Sequence, residues 1–236
     1  MRYFFLVITT CVLITTSASA QSGSFECKSK ARLSTDATKA LLADVQSHYS
    51  AVTSISSKFL QNSYLSALEV SELSSGTMKF KKGGKMRWDY EEPEKQSFVI
   101  DGKKVYFYQP NENQLVIDEF KNVILSDMPV AFLMGLGDLT RDFVAAEACE
   151  TADGVSITLS PKTKKDSKAD EALKGFKLLA DPSTHLPIGA RVTDVGGNTT
   201  AIVLKDLKPD SEFSATAFEI KPPKGTDVID KRASEQ

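Results

Sequence analysis

The residue types that most often carry chemistry are sparse in this chain of 236 residues. Its two histidines, His48 and His185, lack the spacing of metal ligands, such as HExxH or a Cys/His pair. The run from Lys81 to Lys85 (KKGGK) looks like a phosphate cradle, but no helix pattern follows it, so a turn between strands is favoured. The sequence contains no GxSxG, no P-loop and no GxGxxG behind a strand. We therefore predict neither a metal nor another cofactor.

A catalytic triad built from distant residues is the enzymatic hypothesis that remains open. Such triads are recognised by geometry and not by chain order, so a sequence does not exclude one. Nothing in this sequence points to one specifically. We predict that the protein is not an enzyme, and we keep a secreted hydrolase as an alternative.

The first twenty residues have the pattern of a secretory signal peptide. Arg2 precedes an apolar run from Tyr3 to Ile14, and small residues follow at Ala18–Ala20. The run is shorter than the ~20 residues that span a bilayer. Cys11 lies within the run, without the small-residue context of a lipid-modified cysteine. We expect an exported protein with one domain over residues 21–236 and no permanent membrane insertion.

Export leaves Cys27 and Cys149 in a compartment where disulfides persist. A bridge between them would close a loop of over a hundred residues and would stabilise the fold by about 4 kcal/mol in the chain-entropy model. Two buried thiols are the alternative, since the spacing suits neither a metal nor a redox pair. Loss of Arg2 makes the formal net charge of −2 one unit more negative. This balance gives no indication of a nucleic-acid partner.

Hydrophobic periodicity predicts one long helix followed by many strands. Apolar residues recur at intervals of three and four after the N-cap candidates Ser34–Asp36, which indicates a helix of about four turns. A period of two then predicts long strands near 54–64 and 69–81, with Gly76 as a bulge or crossing point. Four short strands follow between Met86 and Ile117, separated by turn residues. Further strands are predicted near residues 143–149, 155–161, 175–180, 188–195 and 199–207.

Three of the short strands are apolar on both faces and need cover on both sides: Phe98–Ile100, Val105–Tyr108 and Leu115–Ile117. The residues from Ser126 to Leu139 predict a short helix that is apolar nearly all round, so it must be wedged against something. The interval from Lys162 to Lys174 is dense in charge and is interpreted as a solvated loop.

A set of motifs then becomes visible in chain order. They are Phe59-Leu60-Gln61, Gly76-x-Met78-x-Phe80, Met86-Arg87-Trp88-Asp89-Tyr90-x-x-Pro93-x-x-Gln96, Asp101-Gly102-Lys103, Phe107-Tyr108-x-Pro110 and, near the end, Phe218-x-x-x-Pro222-Pro223-x-Gly225-x-Asp227-Val228. In combination they resemble LolA, the family of periplasmic lipoprotein carriers of the Lol pathway. The resemblance covers most of the chain after the leader and is densest from residue 59 to 117.

The resemblance implies a mostly β fold: an incomplete, half-open antiparallel β-barrel of about eleven strands with an α-helical lid on its concave side. It also implies a monomeric periplasmic carrier of acylated lipoproteins, which receives them from an inner-membrane lipoprotein-releasing transporter and delivers them to an outer-membrane receptor. A carrier of free lipid or glycolipid, and a module that senses lipoproteins, share such a fold and remain alternatives.

Acyl chains would require an apolar cavity under a movable cover. The candidate lining residues are Phe59, Met78, Phe80, Met86, Trp88, Tyr90, Phe98, Ile100, Val105 and Phe107. The candidate lid residues are Val130, Phe132, Leu133, Met134 and Leu136. In the family an arginine latches the lid, and Lys82 stands at the equivalent position here. Because lysine lacks the planar fork of arginine, we expect a looser lid, which Lys82→Arg would tighten.

Overall fold

The computed structural model describes residues 25–120, 138–162 and 173–234. The helices are α1 (Thr35–Ala51) and the single turn α2 (Leu139–Asp142), and a 3₁₀ turn covers Lys231–Ser234. The strands are β1 (Ser54–Leu65), β2 (Val70–Lys81), β3 (Lys85–Glu92), β4 (Gln96–Asp101), β5 (Lys104–Gln109), β6 (Gln114–Glu119), β7 (Phe143–Glu150), β8 (Val155–Pro161), β9 (Leu173–Ala180), β10 (Pro187–Asp194), β11 (Thr199–Pro209) and β12 (Asp227–Asp230).

All twelve strands form one open sheet in the order β12-β6-β5-β4-β3-β2-β1-β11-β10-β9-β8-β7. The predicted long helix, the two long strands and the meander of short strands are confirmed. The sheet has one strand more than the expected eleven, because the sequence pattern does not reveal β12. β12 pairs with β6 in parallel, so the expected antiparallel pairing holds for the other strands only. A strand of four residues is too short to show a period of two.

Helix α1 covers one face of the sheet, which is called the inner face below. The hydroxyl of Ser34 accepts a hydrogen bond from the Ala37 amide at 3.3 Å and caps the first turn. Val45 and Tyr49 are buried in the main hydrophobic core, and the Tyr49 ring stacks on Phe80 of β2 with centroids 6.0 Å apart. The inner face is therefore the helix-covered side of the sheet.

The first described residues cross the opposite, outer face and protect an edge of the sheet. Phe25 is fully buried in a second core with Leu179 and Val203. Cys27 is joined to Cys149 of β7 by a disulfide with an S–S distance of 2.01 Å. Two backbone hydrogen bonds of 2.9 Å, from the amides of Lys28 and Leu33 to the carbonyls of Glu150 and Ala148, run beside this bridge. The segment thereby covers part of the exposed edge of β7.

Candidate apolar binding face

The ten candidate lining residues all lie on the inner face, because residues paired across neighbouring strands share a face. They form three rows across β1 to β5. The first row is Phe80, Met86, Ile100 and Val105. The second row is Met78, Trp88, Phe98 and Phe107. The third is Phe59 and Tyr90, which face each other across Gly76.

Gly76 allows β2 and β3 to cross closely at the third row. A Cβ atom built on Gly76 would lie 2.0 Å from the carbonyl oxygen of Asp89, so no larger residue fits. The register of the β2–β3 pair shifts between Ser75 and Gly76, which confirms the predicted bulge. The Phe59 ring then contacts two rings of β3, with centroid distances of 4.5 Å to Trp88 and 4.9 Å to Tyr90.

Burial decreases along the second row from β2 towards β12, whereas the first row stays buried as far as β5. Seven of the ten lining candidates are buried, whereas Tyr90, Phe98 and Phe107 are half-buried. The second row continues beyond Phe107 to Val116 on β6 and then to Ile229 on β12, whose side chain is 40% exposed. Val116 and Ile229 were not among the sequence candidates. The consecutive apolar residues Leu115–Ile117 did not show which side chain of β6 faces inward, and the short β12 gave no periodic signal.

The polar groups of Tyr90 and Trp88, which lie within the apolar rows, are hydrogen-bonded and uncharged. The Tyr90 hydroxyl donates to Oε1 of Gln61 at 3.1 Å, and the Trp88 indole N–H donates to Sδ of Met86 at 2.8 Å. Burial raises the pKa of Tyr90, although the hydrogen bond to Gln61 opposes this effect. Burial of the Tyr49 hydroxyl likewise raises its pKa well above the ordinary value of a phenol. Both phenols therefore stay uncharged at neutral pH, which suits an apolar ligand.

The outer face of β3 is polar, whereas the outer faces of β4 and β6 also carry the buried side chains of Val99 and Leu115. Arg87 donates to Asp89 Oδ2 at 2.6 Å, and the Ser97 hydroxyl donates to Asp89 Oδ1 at 2.7 Å. Arg87 also donates to the carbonyl of Glu219 at 2.9 Å and so holds the C-terminal segment on this side. The alternation of β3, apolar at Trp88 and charged on either side, thus separates a ligand-compatible face from a structural one.

Lys82 contacts helix α1 in the described part of the chain. Its ammonium group donates to the carbonyl of Ser50 in the last turn of α1, and its amide donates to the Thr53 carbonyl at 2.9 Å. A cation at this end is favourable because the last carbonyls of a helix lack helical partners. The lid candidates Val130, Phe132, Leu133, Met134 and Leu136 lie outside the described residues. The latch role of Lys82 therefore stays a prediction.

The two histidines, which the sequence places far apart, meet in the fold. The rings of His48 and His185 lie edge to face with centroids 5.0 Å apart, and His48 Nδ1 is 2.8 Å from the Asp44 carbonyl oxygen. Within residues 25–120, 138–162 and 173–234, no group of three or more His, Cys, Asp or Glu side chains is placed to hold a metal ion. The pair is formed because the end of α1 lies beside the turn between β9 and β10.

An open β-sheet whose inner face carries rows of apolar side chains beneath a helix is the architecture of a protein suited to apolar ligands. The family described as "Outer membrane lipoprotein carrier protein LolA" matches residues 50–221, and the chain belongs to this family. No described helix is both long and apolar enough to span a bilayer.

Curated relatives agree with this assignment, and one solved structure shares the fold. The chain is 33% identical over 165 residues to an outer-membrane lipoprotein carrier protein of Ralstonia nicotianae, covering 70% of this chain and 73% of the relative. It is 31% identical over 189 residues to the outer-membrane lipoprotein carrier protein of Cupriavidus pinatubonensis, covering 78% of this chain and 85% of the relative. The fold resembles an uncharacterized conserved protein from Thermus thermophilus, with a TM-score of 0.53, 15% identity and coverage of 83% of this chain and 99% of that one.

Proposed function

We propose that this protein is a non-enzymatic periplasmic carrier that shields the acyl chains of lipoproteins. It takes them from an inner-membrane lipoprotein-releasing transporter and delivers them to an outer-membrane receptor. The observation that carries the proposal is the set of three apolar rows on the inner face, which lies in a chain of the LolA family. The names of the relatives supply the cargo class, because each is called a lipoprotein carrier.

The energetic need of a carrier explains the large apolar surface. An acyl chain exposed to water costs about 0.8 kcal/mol per methylene, so the chains of one lipoprotein represent tens of kcal/mol. Only a large apolar surface can offset such a cost. Met78 and Met86 suit this task, because unbranched thioethers repack around ligands of varied shape. In this proposal the segment from Val130 to Leu136 acts as the movable cover.

Trp88 provides a reporter for the test. It is the single tryptophan of the chain and lies in the second row, between Met78 and Phe98. A synthetic tripalmitoylated cysteine lipopeptide is titrated into the purified protein while the Trp88 emission is recorded. We expect a saturable blue shift or quenching, because acyl chains on the inner face change the surroundings of the indole.

A matched pair of variants on β5 separates the two faces. Phe107 lies on the inner face and Tyr108 on the outer face of the same strand, and both are half-buried. Phe107→Gln should weaken lipopeptide binding about tenfold through lost apolar contact. Tyr108→Gln should leave it unchanged. Equal effects of the two variants, or binding without any change at Trp88, would contradict the proposal.

Native mass spectrometry of the exported protein, isolated from periplasm without detergent, separates the alternative functions. Stoichiometric acylated lipoprotein supports the carrier, whereas bound free lipid or glycolipid supports the rival carrier. An unacylated protein partner as the main bound species would favour the sensing module. An empty protein that turns over ester substrates would favour the hydrolase.

A further inference from the structure

The hairpin formed by β1 and β2 projects beyond the neighbouring strand. β2 pairs with β1 along its whole length, from Val70 opposite Leu65 onwards, but with β3 only from Ser75. Among the described residues, the stretch Val70–Ser74 therefore pairs on one side only. At about 3.4 Å per residue this leaves about 17 Å of open strand edge. Backbone N–H and C=O groups on such an edge are a template for another strand.

The projecting part carries exposed apolar side chains, although Ser74 at its end is buried. Val70 and Leu73 on β2 are 49% and 46% exposed, and Leu68 in the turn is 69% exposed. Proteins normally protect an apolar edge with lysine, proline, a bulge or a covering element. The hairpin carries neither lysine nor proline between Leu65 and Ser74. An exposed apolar patch of this kind marks an interaction surface.

The other side of the hairpin is held firmly, so the open edge is preformed. β1 pairs with β11 as far as Tyr64 opposite Thr199. The Ser66 amide donates to Oδ1 of Asn198 at 3.0 Å and ties the hairpin turn to the turn between β10 and β11. A partner strand would add to a rigid template, so little ordering entropy would be lost on this side.

Charge identifies the kind of partner. Glu69 and Glu72 lie on the hairpin, and Glu91, Glu92 and Glu94 lie at the end of β3 and in the turn that follows it. All five are exposed, and the exposed Lys95 in the same turn leaves an excess of four negative charges around the open edge. Opposite charges across paired strands stabilise a sheet and like charges destabilise it. The partner strand should therefore carry basic side chains.

We propose that Val70–Ser74 binds an extended segment of a partner protein by strand addition, and that this segment alternates aliphatic and basic residues. A second copy of this chain fits less well, because symmetric antiparallel pairing across the stretch would place two copies of Glu72 opposite each other. An anionic bilayer fits less well for the same electrostatic reason. The inference is independent of acyl-chain binding on the inner face.

Fluorescein-labelled acetyl-Lys-Val-Lys-Val-Lys-Val-amide is the first probe, and fluorescence anisotropy with the purified full-length protein is the readout. Two further peptides carry N-methyl groups, one on every valine and one on every lysine. Alternate N–H groups of a strand point to the same side, so one methylated peptide should lose binding and the other should retain it. Unchanged binding of both methylated peptides would overturn strand addition.

Two charge-reversal variants test the register. Glu72→Lys should weaken the peptide about tenfold, because an attraction across the added pair becomes a repulsion. Glu212→Lys makes the same change of net charge on an exposed residue just beyond β11, at the far end of β1 from the hairpin, and should leave the affinity within about twofold. Equal weakening by both variants would refute the proposal that the peptide binds beside Glu72.

Two further measurements test whether a second copy of this chain or an anionic bilayer binds the open edge instead. Sedimentation velocity of the unliganded protein should show no self-association that Glu72→Lys alters. The protein should not co-sediment with vesicles of phosphatidylcholine and phosphatidylglycerol by way of contacts made by this hairpin. Self-association or vesicle binding that Leu73→Ser abolishes would replace the proposed peptide partner with a second copy or a membrane, respectively.

Discussion

The close crossing at Gly76 gives the sharpest test of how the apolar rows are held together. In Gly76→Ala the new Cβ would meet the Asp89 carbonyl oxygen at 2.0 Å, whereas a Cβ approach below 3.0 Å is essentially never observed. β2 and β3 would have to separate by about 1 Å out of a normal spacing of about 4.8 Å. Such a shift weakens the hydrogen bonds of the pair and moves Phe59 away from the ring of Tyr90.

The expected cost follows from these two effects. Overpacking against a rigid backbone costs about 1–3 kcal/mol, and an aromatic pair contributes about 0.5–1.5 kcal/mol beyond its buried area. We therefore expect Gly76→Ala to lower the free energy of unfolding by about 3 kcal/mol. Urea denaturation followed by Trp88 fluorescence measures this value directly, because the indole lies beside the crossing.

Gly175→Ala is the matched control. Gly175 also lies inside a strand, β9, but the nearest atom to an added Cβ is Cβ of Thr193 at 3.9 Å, an ordinary contact. Removing a strand glycine without a clash should stabilise the protein by about 0.4–1 kcal/mol through the unfolded chain. If the two alanine variants unfold at the same urea concentration, the crossing does not constrain the sheet and the reasoning is refuted.

Three further predictions concern contacts away from the crossing. Replacing Cys27 and Cys149 together by serine should lower the free energy of unfolding by about 4 kcal/mol, since the bridge spans a separation of 122 residues, and reduction of the wild-type protein should match this loss in urea denaturation. Lys82→Met should destabilise the end of α1 by about 0.5 kcal/mol and speed amide hydrogen exchange there; unchanged exchange would show that the ammonium contact is unimportant. Hydrogen bonding, first from the Ser183 hydroxyl, lowers the pKa of Asp181 from 3.8 to about 2, so its stabilisation is complete above pH 3.8 and is lost as the pH falls towards 2. Asp181→Asn should flatten the dependence of unfolding free energy on pH in that window, and an unaltered slope would count against the assignment.

Sequence patterns were sufficient to predict those elements whose contacts join residues close together in the chain. Helix α1 and the meander from β3 to β6 follow from periodicity and turn residues within a few positions of each element. The alternation around Trp88 was enough to assign the inner and outer faces of β3. β12 escaped prediction because its four residues are too few to show a period of two.

Partners of individual side chains could not be read from the sequence. The sequence predicts that Lys82 sits in a turn, but only the fold shows that the carbonyl of Ser50 is within its reach. The same holds for the contact between His48 and His185, which depends on how α1 lies over the sheet. The open edge at Val70–Ser74 depends on the residue at which β3 stops pairing with β2, and the periodicity within each strand does not mark that residue.

The two outermost strands, β7 and β12, are not neighbours in the strand order. In a closed cylinder the strand number and shear fix the radius, and widening it requires breaking hydrogen bonds. Here the curvature of the sheet can change through small adjustments of twist at each strand pair, with every existing backbone hydrogen bond retained. In the carrier proposed above, the width available to acyl chains would therefore be set by a soft elastic property of the sheet, which would let one protein hold cargoes of different bulk.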